Sequence, residues 1–210
     1  MTIERKIGIK SWEHPAETLP KDIRAILTES ELNAYATGAT YFQKLAVDSD
    51  CEQLVNLLNR LNPNAPMFVD LHQVDDGPWH VWFGFTIAPM LYHPRLLLPR
   101  QIQIPKTAPE RVRKLYSSFG GICESNYIGG FMTPEAISRG ANDFVMSHHE
   151  LRLPDGSYMF FSYGNGDYAG WLPDGRGCIY NHETGETHDC EFDRLWESLL
   201  ADMKRTIFDE

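Results

Sequence analysis

The chain should fold as an α+β protein, an antiparallel or mixed twisted sheet flanked by helices. Three observations lead there. Capping residues stand ahead of apolar stripes at helical spacing. Runs rich in β-branched and aromatic residues alternate with Gly, Pro and Asp turns. The closing stretch is amphipathic with the helical period.

Taken in order, Ile23, Ile26 and Leu27 follow Pro20 and Asp22 at helical spacing, which gives a short helix near the front. Ser49 with Glu52 reads as a capping box, in which each side chain satisfies an orphan backbone N–H. Leu54, Leu57, Leu58 and Leu61 then form one stripe until Asn62 and Pro63 stop it. Thr107 with Glu110 is a second box, ahead of Val112, Leu115, Tyr116 and Phe119, and closed by Gly120 and Gly121. Thr133 caps a brief helix from Pro134 to Arg139 that Gly140 ends.

Between Leu61 and Pro105 the runs MFVDLHQ, HVWFGFTI and LLLPRQIQI read as strands. From Asp143 the same grammar returns in DFVMSHHELRL, SYMFFSYG, CIYNH and THDCEF, with PDG, PDGRG and TGE between them, as expected of an antiparallel meander. Asp193 can cap the last helix, whose Leu195, Trp196, Leu199, Leu200 and Met203 share a face. The expected core includes Leu115, Phe119, Leu195, Leu199 and Leu200, and the cluster Trp79, Trp82, Phe83 and Phe85 is most simply core too.

With 210 residues, 42% hydrophobic, 12% aromatic and 23% charged, the chain has the balance of a globular protein. Pro89, His93, Pro94 and Pro99 break its longest apolar run, so no membrane span is expected, and the charged N-terminal stretch predicts no secretory signal. Four cysteines, Cys51, Cys123, Cys178 and Cys190, are too sparse for a disulfide scaffold, and free thiols in the cytoplasm are expected. The net charge of −10 is uneven: 12 acids and 10 bases precede residue 107, and 17 acids and 9 bases follow. Such a second half repels nucleic acid and steers a basic protein toward it.

Helix, Gly-Gly, short helix, strands, a GNGD turn, a GWLPDGRG stretch, CIY and an acidic run into an amphipathic helix follow one another in that order. This second half resembles the SUKH superfamily, which includes fungal regulators of cell-wall assembly and many bacterial immunity proteins. RVRKLYSSFGG is like the family's first helix with its glycine stop. GNGDYAGWLPDGRGCIY is like its glycine-plus-acid turn and Gly-X-(Ile/Val)-Tyr strand, and FDRLWESLLADM is like its final packing helix. The likeness covers about residues 107 to 205. It implies a SUKH-like domain over 107–210, with 1–106 as an N-terminal extension that either adds to the same sheet or forms a separate unit. It also implies a non-catalytic protein binder without a cofactor: an immunity protein that neutralises a toxin or effector by stoichiometric binding, or alternatively a signalling or assembly scaffold of the cell-wall regulator type.

The GNGD turn, Gly164 to Asp167, is a strand connection first. As part of a partner-binding rim, Asn165, Asp167, Tyr168, Trp171 and Asp174 would combine acidic and aromatic contacts. Asp155 and Asp174 each sit in a PDG turn, where Asp is a turn former before it is an acid.

The rival is a metal site or an enzyme using Cys178, His182, His188 and Cys190, which are zinc-ligand types at short spacing. Register decides it. A two-residue turn at Thr184 and Gly185 pairs His182 with Thr187 and splits the four between faces; a three-residue turn sets His182 opposite Glu186 and gathers them. His148 and His149, adjacent on an expected strand, would point to opposite faces. Cys123 follows a helix end rather than a helix start, where a thiol would be activated. No Walker loop, GxSxG, HExxH or glycine fingerprint is present, and the aromatics lack the basic interleaving of a nucleic-acid surface.

Overall fold

The structure, a computed structural model, describes residues 4–11, 13–49, 51–61, 67–75, 77–85, 95–100, 104–123 and 129–208. Among the described residues ten strands form one antiparallel sheet in sequence order: β1 (Glu4–Lys10), β2 (Met67–Val74), β3 (His80–Phe85), β4 (Arg95–Leu97), β5 (Gly121–Cys123), β6 (Gly129–Phe131), β7 (Tyr158–Tyr163), β8 (Tyr168–Trp171), β9 (Gly177–Tyr180) and β10 (Thr187–Cys190). The strands of residues 1–106 and those of 107–210 share this sheet, joined where Leu96 of β4 pairs with Ile122 of β5.

Helices α1 (Lys21–Ile26), α2 (Glu29–Thr37), α3 (Ala39–Asp48) and α4 (Glu52–Leu58) fill the connection from β1 to β2. Helix α5 (Glu110–Ser118) stands between β4 and β5, α6 (Pro134–Ser138) between β6 and β7, and α7 (Phe192–Phe208) follows β10. One continuous apolar core joins Phe42, Leu54 and Leu58 to Phe83 and Phe85, and Leu115 and Phe119 to Phe160, Trp171, Trp196 and Leu199. The stripes of α5 and α7 read from sequence, Val112, Leu115, Tyr116 and Phe119 with Leu195, Trp196, Leu199, Leu200 and Met203, are buried. So are Leu54, Leu58 and Leu61; the side chain of Leu57 lies outside those described.

A bulge in β7 lets two adjacent aromatics face this core. Met159 pairs with Gly170 but Phe161 pairs with Ala169, which leaves Phe160 as the extra residue. Regular alternation would put Phe160 and Phe161 on opposite faces. Instead both join the helix-covered core, while Met159 points the other way, into a second cluster with Ala141, Val145, Leu153, Leu172, Cys178 and Tyr180.

Several local expectations give way. Residues 143–153 form no strand: after a 3-10 turn at Ala141–Asp143 they wrap under the sheet and cover that second cluster. The Asn142 side chain clamps them there, accepting from the Leu153 N–H at 2.9 Å and donating to the Leu153 carbonyl at 3.0 Å. Neither expected capping box forms. The Ser49 hydroxyl donates back to the Ala46 carbonyl at 2.6 Å, closing α3, and α5 begins after Pro109 with no side-chain cap.

The box that does form is Thr28 with Glu31 at the head of α2, which like α3 is a helix beyond those expected from the sequence. Strands β1, β5 and β6 are also beyond the expected elements; the last two are three residues each, too short for a periodicity to register. Thr133 does cap α6, accepting from the Ala136 N–H. Part of HVWFGFTI and of LLLPRQIQI, residues 86–87 and 101–103, lies outside the described residues.

Candidate functional site

The GNGD turn connects β7 to β8, as its glycines suggested, and three loops meet on it. Gly164 and Gly166 take φ of 82° and 102°, in the region that favours glycine. Asn165 accepts from the Asp167 N–H at 3.0 Å and donates to the Asp167 carboxylate at 3.0 Å. That carboxylate in turn receives the His182 backbone N–H at 2.9 Å and the His182 ring Nδ1 at 2.8 Å. His149, from the segment under the sheet, donates its Nε2–H to the His182 carbonyl at 2.9 Å. Burial pushes the Asp167 carboxyl upward, but the bonds from His182 and Asn165 outweigh it and hold the group below its ordinary 3.8.

The loop from β9 to β10 decides the metal question. Tyr180 pairs with Thr187, Cys178 with Asp189 and Gly177 with Cys190. This is neither of the two registers weighed from sequence. Asn181 starts a turn of its own, its side chain accepting from the N–H groups of Glu183 and Thr184, so His182 leaves the ladder altogether.

Cys178 and Cys190 then face opposite sides of the sheet. Cys178 is buried in the second cluster, its thiol pushed up to about 12 by burial with Asp189 and Cys190 adding to it. Burial also raises the Cys190 thiol. His188 is exposed on the outer strand, and the His182 ring is spent on Asp167. The four candidate ligands therefore do not converge, and no group of three or more His, Cys, Asp or Glu among the described residues is placed to hold a metal ion.

The other proposed contact residues divide. Asn165 and Asp174 are exposed, and Asp167 and Tyr168 are partly so. Trp171 is a correction: it is 0% exposed, packed 5.3 Å from the Tyr158 ring and 5.7 Å from that of Phe160, because β8 points it into the core beneath α7. It has no surface to give a partner. Tyr168 lies 5.0 Å from Phe144 and opens onto a cleft of about 290 Å³ shared with Trp82, Cys123 and Ser162.

Asp174 accepts from Arg176 at 2.8 Å, and Arg176 reaches on to Asp189 of β10 at 2.7 Å. Asp155 is exposed in its turn, as expected. His148 and His149 are not on a strand; their rings lie 4.2 Å apart, His148 exposed and His149 half-buried. Cys123 follows the end of α5, as expected, and is a buried residue of β5.

Comparison with known proteins adds nothing to this geometry. No family model, curated protein or solved structure matches the chain. Among the described residues no helix is long and apolar enough to cross a membrane.

What the site offers chemically is a charged edge. Strand β10 ends the sheet order, and among the described residues no further strand pairs with its outer backbone groups. Around it Asp174, Glu183, Glu186, Asp189, Glu191, Asp193 and Glu197 are exposed, against only Arg176 and Arg194 among the exposed cations of residues 174–197. The sequence located the acidic half; which carboxylates line one edge depended on the order of the strands.

Proposed function

We propose that the chain is a non-catalytic cytoplasmic binding protein of the SUKH kind, an immunity protein that neutralises a basic toxin or effector by stoichiometric protein–protein contact. The observation that carries this reading is the run of exposed carboxylates from Asp174 to Glu197 along the β10 edge of the sheet and into the start of α7. Edge strands are commonly protected by charge, but here the acids continue past the strand into a helix, where no edge needs protecting. A field of one sign raises the rate at which a basic partner arrives, and an aromatic or apolar contact then holds it.

The test is capture on the immobilised chain from a lysate of the native host. A basic protein retained at about 50 mM salt, released near 500 mM, and forming a one-to-one complex in sedimentation is the expected result. Retention of no basic protein, or a complex indifferent to salt, rejects the reading.

A further inference from the structure

The first turns of α4, α5 and α7 meet around a cleft of about 650 Å³. Its lining sorts by chemistry. Cys51, Phe192 and Trp196 are its apolar part, with the Trp196 indole buried behind the Phe192 ring, 6.2 Å from it and tilted by 31°. Around them stand four carboxylates, Glu52, Glu110, Asp193 and Glu197, and two cations, Arg111 and Lys114.

Both cations are engaged: Arg111 Nε lies 2.9 Å from Asp193 and Lys114 Nζ 3.6 Å from Glu110. Glu52 and Glu197 have no ion-pair partner among the described residues. Acids in the first turn of a helix are stabilised by the backbone there, which accounts for Glu52, Glu110 and Asp193 without any ligand. Glu197 lies beyond the first turn of α7 and is not explained in this way. An anion drawn to the helix ends would face four carboxylates.

We propose that this cleft receives an arginine-bearing segment of the basic partner. The aliphatic stem lies along Phe192, the half-buried ring of the cleft wall, whose face attracts the cation, and the planar guanidinium meets the carboxylates of Glu52 and Glu197. Arginine suits the site better than lysine, because it gives up less hydration on an aromatic face and offers donors to two acceptors at once. The inference rests on the binding reading above and names its site.

The probe is a capped hexapeptide, Ala-Leu-Arg-Leu-Arg-Ala, followed by amide and indole shifts of the full chain; the comparison peptide carries glutamate in place of arginine. Expected are shifts at residues 51–52, 109–114 and 192–197, including the Trp196 indole, from the arginine peptide alone. Binding should weaken about tenfold in E52Q/E197Q, and not in E17Q/E150Q, which removes the same charge at exposed positions outside the cleft. Both variants should still melt in one folded-to-unfolded transition, E52Q/E197Q no more than about 5 °C below the parent for the lost helix-start charge.

Shifts spread over other surfaces, equal weakening in both variants, preference for the glutamate peptide, or no binding overturns the proposal. The peptide map judges the cleft alone. A basic partner held equally well by E52Q/E197Q removes the cleft and leaves the binding function standing, whereas absence of any basic partner removes the function.

Discussion

Glu31 is a carboxylate with 0% exposure, and its surroundings show what makes that tolerable. Arg100, which follows β4, grips it with two bonds, Nε to Oε1 at 2.8 Å and Nη2 to Oε2 at 2.7 Å. The Thr28 N–H and hydroxyl add 2.8 and 2.9 Å bonds to Oε2. One side chain thus caps α2 and ties it to the sheet. Removing one member of such a pair strands the other: Arg100→Ala should cost about 3–5 kcal/mol in urea denaturation, and Glu31→Gln with Arg100→Met less than that.

At Asp167 the linkage runs through acid. A carboxyl whose folded value lies below its unfolded one contributes stability that is present above the unfolded value of 3.8 and lost as the pH falls through the folded value. Asp167→Asn should therefore flatten the loss of stability below about pH 4, read as melting temperature against pH. Gly166 is the partner constraint, with φ of 102° and a hypothetical Cβ 2.7 Å from the His182 ring. Gly166→Ala should destabilise by more than about 1 kcal/mol and free the His182 ring, visible as a changed imidazole resonance.

Elements were legible where one face of a long helix meets the core. The stripes of α5 and α7 are set by residues three and four apart, and no distant contact can reverse them. Their ends were less legible, because Thr107 and Ser49 satisfy a spacing pattern that the chain uses otherwise. Ser49 follows directly on α3, so its hydroxyl closes that helix rather than opening α4. In β7 and β8 the bulge at Phe160 depends on partners. Gly170 must lack a side chain, since a Cβ there would run into the Tyr158 carbonyl of the neighbouring strand and lie 2.7 Å from Met159 Sδ. Gly170→Ala should lower stability by at least about 1 kcal/mol in chemical denaturation, with the strain falling on backbone that cannot move aside.

The whole molecule is organised by a sheet in which strand order follows chain order. Helices α1 to α4 enter before β2, and their residues Phe42 and Leu58 share a core with Trp196 and Leu199 at the other end of the chain. A fragment of residues 107–210 would lose the β4 ladder beside β5 and the α4 contact with α7. It should remain largely unfolded by circular dichroism, while the full chain unfolds in a single transition. At this scale the packing joins residues 107–210 to what precedes them.

The α+β class, the buried faces of α5 and α7, the GNGD and PDG turns and the acidic second half can all be read from the chain alone, because each depends on near neighbours or on composition. Tertiary structure decided the register of Tyr180 with Thr187, the burial of Trp171, the bulge at Phe160 and the placing of Glu31 beside Arg100. Those depend on which strand or helix lies alongside. A shift of one residue in a ladder exchanges the two faces of a strand, and short strands hold too few side chains to announce which face is which.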